Sequence, residues 1–379
     1  MQHHESHRVM RRKLKRETIN KLVQSHDIAQ LSLDQLTEFF LIEDQIIPFK
    51  PDGVCQMDPR NGDRIIYNSA RAHRPHDNLP PKNMSESHEG ISGAPCLICD
   101  GKTTHVIDLA PLSEGFTFIN KNLFPIFFPN PEIELLAGNL MFEHPQSQGV
   151  SVQGFHFLQW TSSFHDKDWH NMALNDRMIV MHRLAALEKK MLTEPGNFIS
   201  IIKNYGRLVG GSLVHGHQQI AVSNIMPNRI RQNKTFQEEY GQTFSAYMLR
   251  ENPSEMIIKD YGEALLITPY FMRRPYDMML LLKDTYKGYL HLMNEDEVAA
   301  VADGWRDAIR IMLQVMPQIG KETAYNITTH NGPGAGLYFE FLPYTQETGG
   351  FEHMGLYMCQ GNPLTSAEQA RKILVDFTD

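Results

Sequence analysis

Two stretches of the chain carry the same succession of apolar and polar segments. In the first, the apolar run 155–160 leads into Ser163-Phe164-His165-Asp166. Met178, Met181, Leu184, Ala185 and Met191 then recur near a 3.6-residue period, which predicts an amphipathic helix stopped by Pro195-Gly196. A β-rich run at 198–202, the turn Asn204-Tyr205-Gly206 and an extended segment through His215-Gly216-His217 complete the unit. In the second stretch, the strand is 278–282 and Lys283-Asp284 opens a loop. Asn294 with Glu297 three residues on reads as a capping box. The helix it starts carries Val298, Val301, Trp305, Ala308, Ile309 and Met312. The run 325–328, His330-Asn331-Gly332 and a strand at 337–341 follow.

The shared order is strand, loop, helix, strand, Asn-Gly turn, strand, and it predicts an α+β duplication. The expected division is a helical N-terminal extension at 1–50, a first unit at 51–235 and a second at 236–379. Residues 74–95, rich in Pro, His, Ser and Asn, read as a long surface loop.

If the segment from His215 is extended, His215, His217 and Gln219 share one face, because strand side chains alternate. Two imidazoles and an amide build a poor core and a good site. Gly210-Gly211-Ser212 just upstream would let a phosphate approach backbone N–H groups, with the Ser212 hydroxyl as a further donor. A neutral His217 is a competent nucleophile toward phosphorus when its other nitrogen is held by a hydrogen bond. Gln219 can donate to a phosphate oxygen as charge builds there. An amide is no proton donor at neutral pH, so the site favours transfer over hydrolysis.

Composition narrows the class. At 379 residues and a net charge of −8, the chain is large enough for two units and unsuited to nucleic acid as a bulk partner. The basic residues Arg8, Arg11, Arg12, Lys13, Lys15, Arg16 and Lys21 read as a solvated helix face. No apolar run approaches the ~20 residues a bilayer span needs, and Met1-Gln2-His3-His4-Glu5 lacks the apolar stretch of a secretory signal. Four cysteines do not make a disulfide scaffold, which points to a reducing cytoplasm. Cys96-x-x-Cys99 is half a zinc site or a redox pair, and no thioredoxin-like strand and helix surround it. His165 and His215, at equivalent ends of neighbouring strands, are the donors that would complete a closed, structural Cys2His2 site. Cys55 and Cys359 read as ordinary buried thiols.

The motifs then become specific. His-x-His-x-Gln with an upstream Asn, Gly-Gly and Ser resembles the signature of the galactose-1-phosphate uridylyltransferase branch of the histidine-triad superfamily. Asp58-Pro59-Arg60-Asn61-Gly62 and Ser69-Ala70-Arg71-Ala72-His73-Arg74-Pro75 are similar to that branch's N-terminal block, and Asn122-Leu123-Phe124-Pro125 to its nucleotide-contacting turn. Gly349-Gly350-Phe351-Glu352 is similar to the ADP-glucose phosphorylase members, and the likeness runs over roughly 55–375. It implies two tandem histidine-triad-like units, each an antiparallel sheet flanked by helices, the second catalytically degenerate. It implies further that His217 attacks the α-phosphorus of a nucleoside-diphosphate sugar and passes the nucleotide to a sugar 1-phosphate or to inorganic phosphate. Arg71 and Arg74 would contact phosphates, and Asn122 the ribose or base. Asn204, Gly210, Gly211, Ser212 and Gln219 would hold the α- and β-phosphates, and Cys96, Cys99, His165 and His215 would bind zinc. Relatives imply a homodimer. In the second unit only His330 matches a position where the branch often has a second metal, with Tyr338 and Glu340 in place of histidines, so no second metal is expected. Two other readings stay open: a phosphorylase acting on ADP-glucose or a dinucleoside polyphosphate, and a zinc-braced nucleotide-binding protein without turnover.

Overall fold

The structure, a computed structural model, describes residues 13–73, 96–129 and 150–377. The class is α+β, with antiparallel strand pairing throughout the named strands. Thirteen strands are described: β1 Val54–Met57, β2 Arg64–Tyr67, β3 Val106–Pro111, β4 Phe116–Lys121, β5 Val150–Ser151, β6 Gly154–Trp160, β7 Phe198–Tyr205, β8 His217–Ser223, β9 Ile257–Asp260, β10 Ala264–Ile267, β11 Met278–Leu282, β12 Tyr325–His330 and β13 Tyr338–Pro343. Eight α-helices accompany them: α1 Arg16–Asn20, α2 Leu33–Leu41, α3 Leu174–Met191, α4 Asn228–Tyr240, α5 Phe244–Glu251, α6 Glu295–Gln318, α7 Gly350–His353 and α8 Pro363–Val375.

Ten strands form one sheet in the order β3-β4-β6-β8-β7-β12-β13-β11-β10-β9, and β2-β1-β5 form a small second one. Each half of the large sheet repeats one pattern. Three strands run in sequence, a long helix follows (α3 or α6), and the last two strands return in reversed order. The resemblance implies an antiparallel sheet in each unit; β7 pairs with β12, Asn204 opposite Asn326, and joins the two halves in one sheet. The fusion removes two edges that would otherwise present unpaired N–H and C=O groups.

The predicted helices exist because their patterns are locally consistent. The Asn294–Glu297 capping box is formed in both directions, and α6 buries Val298, Val301, Trp305, Ala308, Ile309 and Met312. Trp305 packs edge-on against Phe339 and Phe341 of β13. Phe339 and Phe341 of β13 therefore face α6, and Tyr338, Glu340 and Leu342 face the opposite side, where Tyr338 packs on Phe244 of α5. On β8 the same division puts Gln218 on the helix side and His217 and Gln219 on the open side.

Residues 13–50 are more than an appended extension. Ile28, Leu31, Leu36, Phe40 and Ile46 join the main core, while Leu14 and Ile19 join a second cluster with Ile98, Phe118 and Trp160. Buried Glu43 pairs with Lys121 of β4 at 2.9 Å. Apolar positions in this segment thus match the sheet surface, a match invisible in its own helical pattern. Lys13, Lys15, Arg16 and Lys21 are exposed, as a solvated face requires. Arg8, Arg11, Arg12 and the 74–95 segment lie outside the described residues. Cys55 is buried, whereas Cys359 is only partly so. No described helix is long and apolar enough to cross a membrane.

Candidate functional site

Four side chains converge at one end of the first half. Cys96 and Cys99 come from the turn before β3, His165 from the loop after β6 and His215 from the bend before β8. Their ligand atoms lie within 4.8 Å of one another, so this cluster can hold a metal ion. His215 Nδ1 is 3.7 Å from both sulfurs, and His165 Nδ1 is 3.6 Å from Cys99 Sγ. Tetrahedral zinc with S at ~2.3 Å and N at ~2.05 Å requires S···N separations of about 3.6 Å. The donor set fits that ion. His215 Nε2–H donates to the Ser162 carbonyl at 2.8 Å, which leaves Nδ1 as the free lone pair, the usual outer contact of a ligating imidazole. Hydrogen bonding from Cys99, His165 and His215 pushes the Cys96 thiol well down against the opposing effect of burial, the thiolate form a metal takes.

His215 precedes the strand rather than lying in it, so the face shared by His215, His217 and Gln219 divides. His215 turns to the cluster, and His217 and Gln219 line a cavity of about 110 Å³ together with Asn120, Asn122, Trp160 and Ser212. The His217 Nδ1–H donates to the His215 carbonyl at 2.8 Å. Nε2 therefore carries the lone pair on the cavity side. Burial lowers the His217 pKa to about 4, with the Lys203 charge adding to it against the hydrogen bond that the ring donates to the His215 carbonyl. The ring is neutral at pH 7. Trp160, opposite His217 on β6, touches both imidazoles, with ring centroids 5.4 Å from His215 and 4.9 Å from His217.

Beneath His217 lies a buried ion pair that the sequence reading missed. Lys203 Nζ is 2.7 Å from Asp168 Oδ2 and donates to the His217 carbonyl at 3.2 Å. Burial would push Asp168 up, but the Lys203 charge and hydrogen bond outweigh it and hold the carboxyl below its usual range. Thr161 Oγ1 lies 3.0 Å from Asp168 Oδ1 and 2.8 Å from the Gly216 carbonyl, two acceptors that share its one O–H. These contacts explain the glycine between the two histidines: a Cβ on Gly216 would stand 2.7 Å from both Asp168 Cγ and Thr161 Oγ1. A signal existed. Lys203 occupies a buried position in the alternation set by Ile199 and Ile201, and a lysine there demands a buried partner.

The other expected site residues are distributed unevenly. Arg71 donates to the Phe124 carbonyl, at the Asn122–Phe124 turn that lines the cavity. Asn122 Oδ1 accepts the Phe124 N–H at 2.9 Å, and its Nδ2 faces His156 Nε2 at 3.3 Å, so the residue shapes the turn. Asn204 bonds Asn326 across the fused strands at 2.8 Å and does not line the cavity. Gly210 has φ 82° and sits beside Asn204, and Gly211 packs against the Gly206 backbone where a Cβ would meet Gly206 O at 2.8 Å. Of this run, Ser212 reaches the His217 cavity. Arg74 lies outside the described residues. Lys102 lines the cavity as its permanent cation among the described residues, a position no motif marked.

The Cys2His2 cluster beside the His-Gly-His segment is the juxtaposition the motifs pointed to. Sequence and fold together bear out the resemblance to the uridylyltransferase branch of the histidine-triad superfamily. No family profile matches the chain. An ADP-glucose phosphorylase of Arabidopsis thaliana is 23% identical over 321 residues, 78% of this chain and 85% of the relative. A solved uridylyltransferase superposes with a TM-score of 0.67 at 17% identity, covering 86% of this chain and 100% of that one. A solved ADP-glucose phosphorylase from Arabidopsis thaliana with bound ADP-glucose superposes with a TM-score of 0.60 at 17% identity, covering 84% of this chain and 97% of that one.

Proposed function

We propose that the protein is a nucleotidyltransferase of the galactose-1-phosphate uridylyltransferase type that works through a covalent nucleotidyl-His217 intermediate. The observation that carries this reading is the state of His217: neutral, with Nδ1–H donated to the His215 carbonyl and Nε2 facing a cavity. Nε2 attacks the α-phosphorus of a nucleoside-diphosphate sugar, a P–N bond forms, the bond to the β-phosphate oxygen breaks, and the sugar 1-phosphate leaves. An acceptor phosphate oxygen then attacks the same phosphorus and His217 is released. With a sugar 1-phosphate as acceptor the product is a new nucleotide sugar; with inorganic phosphate it is a nucleoside diphosphate. The likeness to an ADP-glucose phosphorylase favours the second acceptor and ADP-glucose as donor.

Gln219 and Ser212 donate to the phosphates in this reading, with Lys102 as a charge on the same cavity. Arg71, Arg74, Asn122, Asn204, Gly210 and Gly211 keep their expected roles around the nucleotide, those of Asn204 and the glycines exerted through the loop that carries Ser212. Cys96, Cys99, His165 and His215 hold zinc, which braces the start of β8. The two halves are read as tandem histidine-triad-like units, supported by their repeated strand order. In the second, His330 bonds Glu340 at 2.7 Å and stacks on Tyr338. Exposed Phe351, Met354, Leu356 and Met358 form an apolar strip that suits a homodimer contact, and four cysteines with no disulfide among them suit a cytoplasmic setting. The test is to incubate the protein with ADP-glucose and UDP-glucose, adding inorganic phosphate or hexose 1-phosphates, and to weigh the products. Nucleoside diphosphate or exchanged nucleotide sugar supports the reading. Nucleoside monophosphate as the main product contradicts it.

A further inference from the structure

Gln45 stands ahead of the first family-like motif at Asp58, yet its side chain lines the His217 cavity. Two anchors hold it there. On one side, Oε2 of buried Glu43 pairs with Lys121 at 2.9 Å and accepts the His105 backbone N–H at 3.0 Å. Lys121, fully buried, also donates to Gln24 and to the Phe39 carbonyl of the same N-terminal segment. On the other side, the Phe49 ring packs against Phe124 of the cavity wall, with centroids 4.4 Å apart. Ile46, next to Gln45, is fully buried.

An exposed glutamine ordinarily spends its amide on water. Gln45 is exposed, but its Nε2 donates to Glu43 Oε1 at 3.3 Å, the other oxygen of the anchored carboxylate. A carboxylate of this kind accepts and does not donate. It therefore holds Nε2 and leaves Oε1 as the outward acceptor.

The rest of the lining divides into two ends. His217, Gln219 and Ser212 belong to β8 and the loop before it, whereas Leu97, Ile98, Leu123 and Phe124 flank β3 and β4 as an apolar slot suited to a flat ring. β4 and β8 are two strand spacings apart, roughly 10 Å at ~4.8 Å each. A nucleotide with its α-phosphorus at His217 would set its base in that slot, with Gln45 at the edge. Bases differ there. Adenine presents an amine at N6, while guanine presents a carbonyl at O6 and uracil one at O4. An amide free to turn over suits either kind; one held by a carboxylate suits the amine.

We infer that Gln45 reads the nucleobase: its Oε1 accepts from the N6 amine of adenine, and the N-terminal segment thereby selects ADP-sugars over UDP- and GDP-sugars. The inference rests on the nucleotide occupying the His217 cavity as proposed above, and it adds the group that chooses the base. ADP-glucose, UDP-glucose and GDP-glucose are titrated calorimetrically into full-length, zinc-loaded His217→Asn protein, with and without Gln45→Met. Methionine keeps the length of glutamine without its amide, and at an exposed position it should leave the urea midpoint in place. With Gln45 present, the Kd for ADP-glucose should lie about tenfold or more below the other two. Gln45→Met should bring the three within about threefold of one another. A preference unchanged by Gln45→Met, equal weakening of all three donors, no preference with Gln45 present, or no binding at millimolar donor would each overturn the inference. The adduct assay on the natural chain reads the chemistry separately. Base-selective binding without an adduct fails the His217 reading alone, and an adduct with a preference indifferent to Gln45 fails this inference alone.

Discussion

Lys203 is the sharpest place to test how the His217 strand is supported. In Lys203→Met, Asp168 keeps its bonds from Thr161 Oγ1 and the Trp169 N–H but loses its only ion-pair partner among the described residues. Removing one partner of a buried pair costs ~3–5 kcal/mol. The bond from Nζ to the His217 carbonyl is lost as well, and a hydrogen bond from a charged donor contributes ~1.5–3 kcal/mol. Both terms share one side chain and do not add in full, so the expected loss is about 4 kcal/mol. That is a large part of the ~5–15 kcal/mol typical of a domain. Adding Asp168→Asn removes the stranded charge and should bring stability back to within about 2 kcal/mol of the natural chain. Urea unfolding of the three proteins, zinc-loaded and at pH 7.5, gives the comparison. A single variant that loses less than about 1 kcal/mol, or a double variant no better than the single, would refute the reasoning.

Three further outcomes follow from the site and its neighbourhood. His215→Ala should take zinc from about one per chain to well below that, with the melting temperature falling in step; unchanged zinc by elemental analysis would mean the ligand set is wrong. Gly216→Ala places a methyl 2.7 Å from Asp168 and Thr161, and should cost about 1–3 kcal/mol and slow adduct formation more than tenfold, read by unfolding and rapid quench. Asp277 has a folded pKa near 7 against 3.8 for the free group, so its contribution is most favourable below pH 4 and is lost as pH rises toward 7. Asp277→Asn should therefore match the natural chain near pH 4 and exceed it at pH 8 by on the order of 4 kcal/mol at most; parallel unfolding curves at both pH values would contradict this.

The elements that repeat a period were legible before any coordinates. Helices α3 and α6, with their strands, follow from apolar spacing, and the Asn294–Glu297 cap forms as its residues require. The zinc-type cluster was legible because Cys-x-x-Cys and two histidines at strand ends are an expensive set to place without use. Other features depend on tertiary contact. The fusion of the halves through β7 and β12 rests on a pairing between residues 122 positions apart, Asn204 and Asn326. The core role of Ile28, Leu36 and Phe40 depends on the sheet surface they meet. Asp168 is unremarkable in its loop, and only the buried Lys203 beside it gives it a task. Asn204 shows the converse: a motif residue whose side chain is spent on the strand junction.

The central claim is that His217 carries the nucleotide. The most direct measurement is mass spectrometry of the intact, denatured protein after brief exposure to ADP-glucose without phosphate, beside His217→Asn. The account predicts a nucleoside-monophosphate adduct on the natural chain, mapped to the peptide containing His217, discharged by added inorganic phosphate or hexose 1-phosphate and missing from the variant. An equal adduct on His217→Asn, or none on the natural chain with any nucleotide sugar it binds, would contradict it.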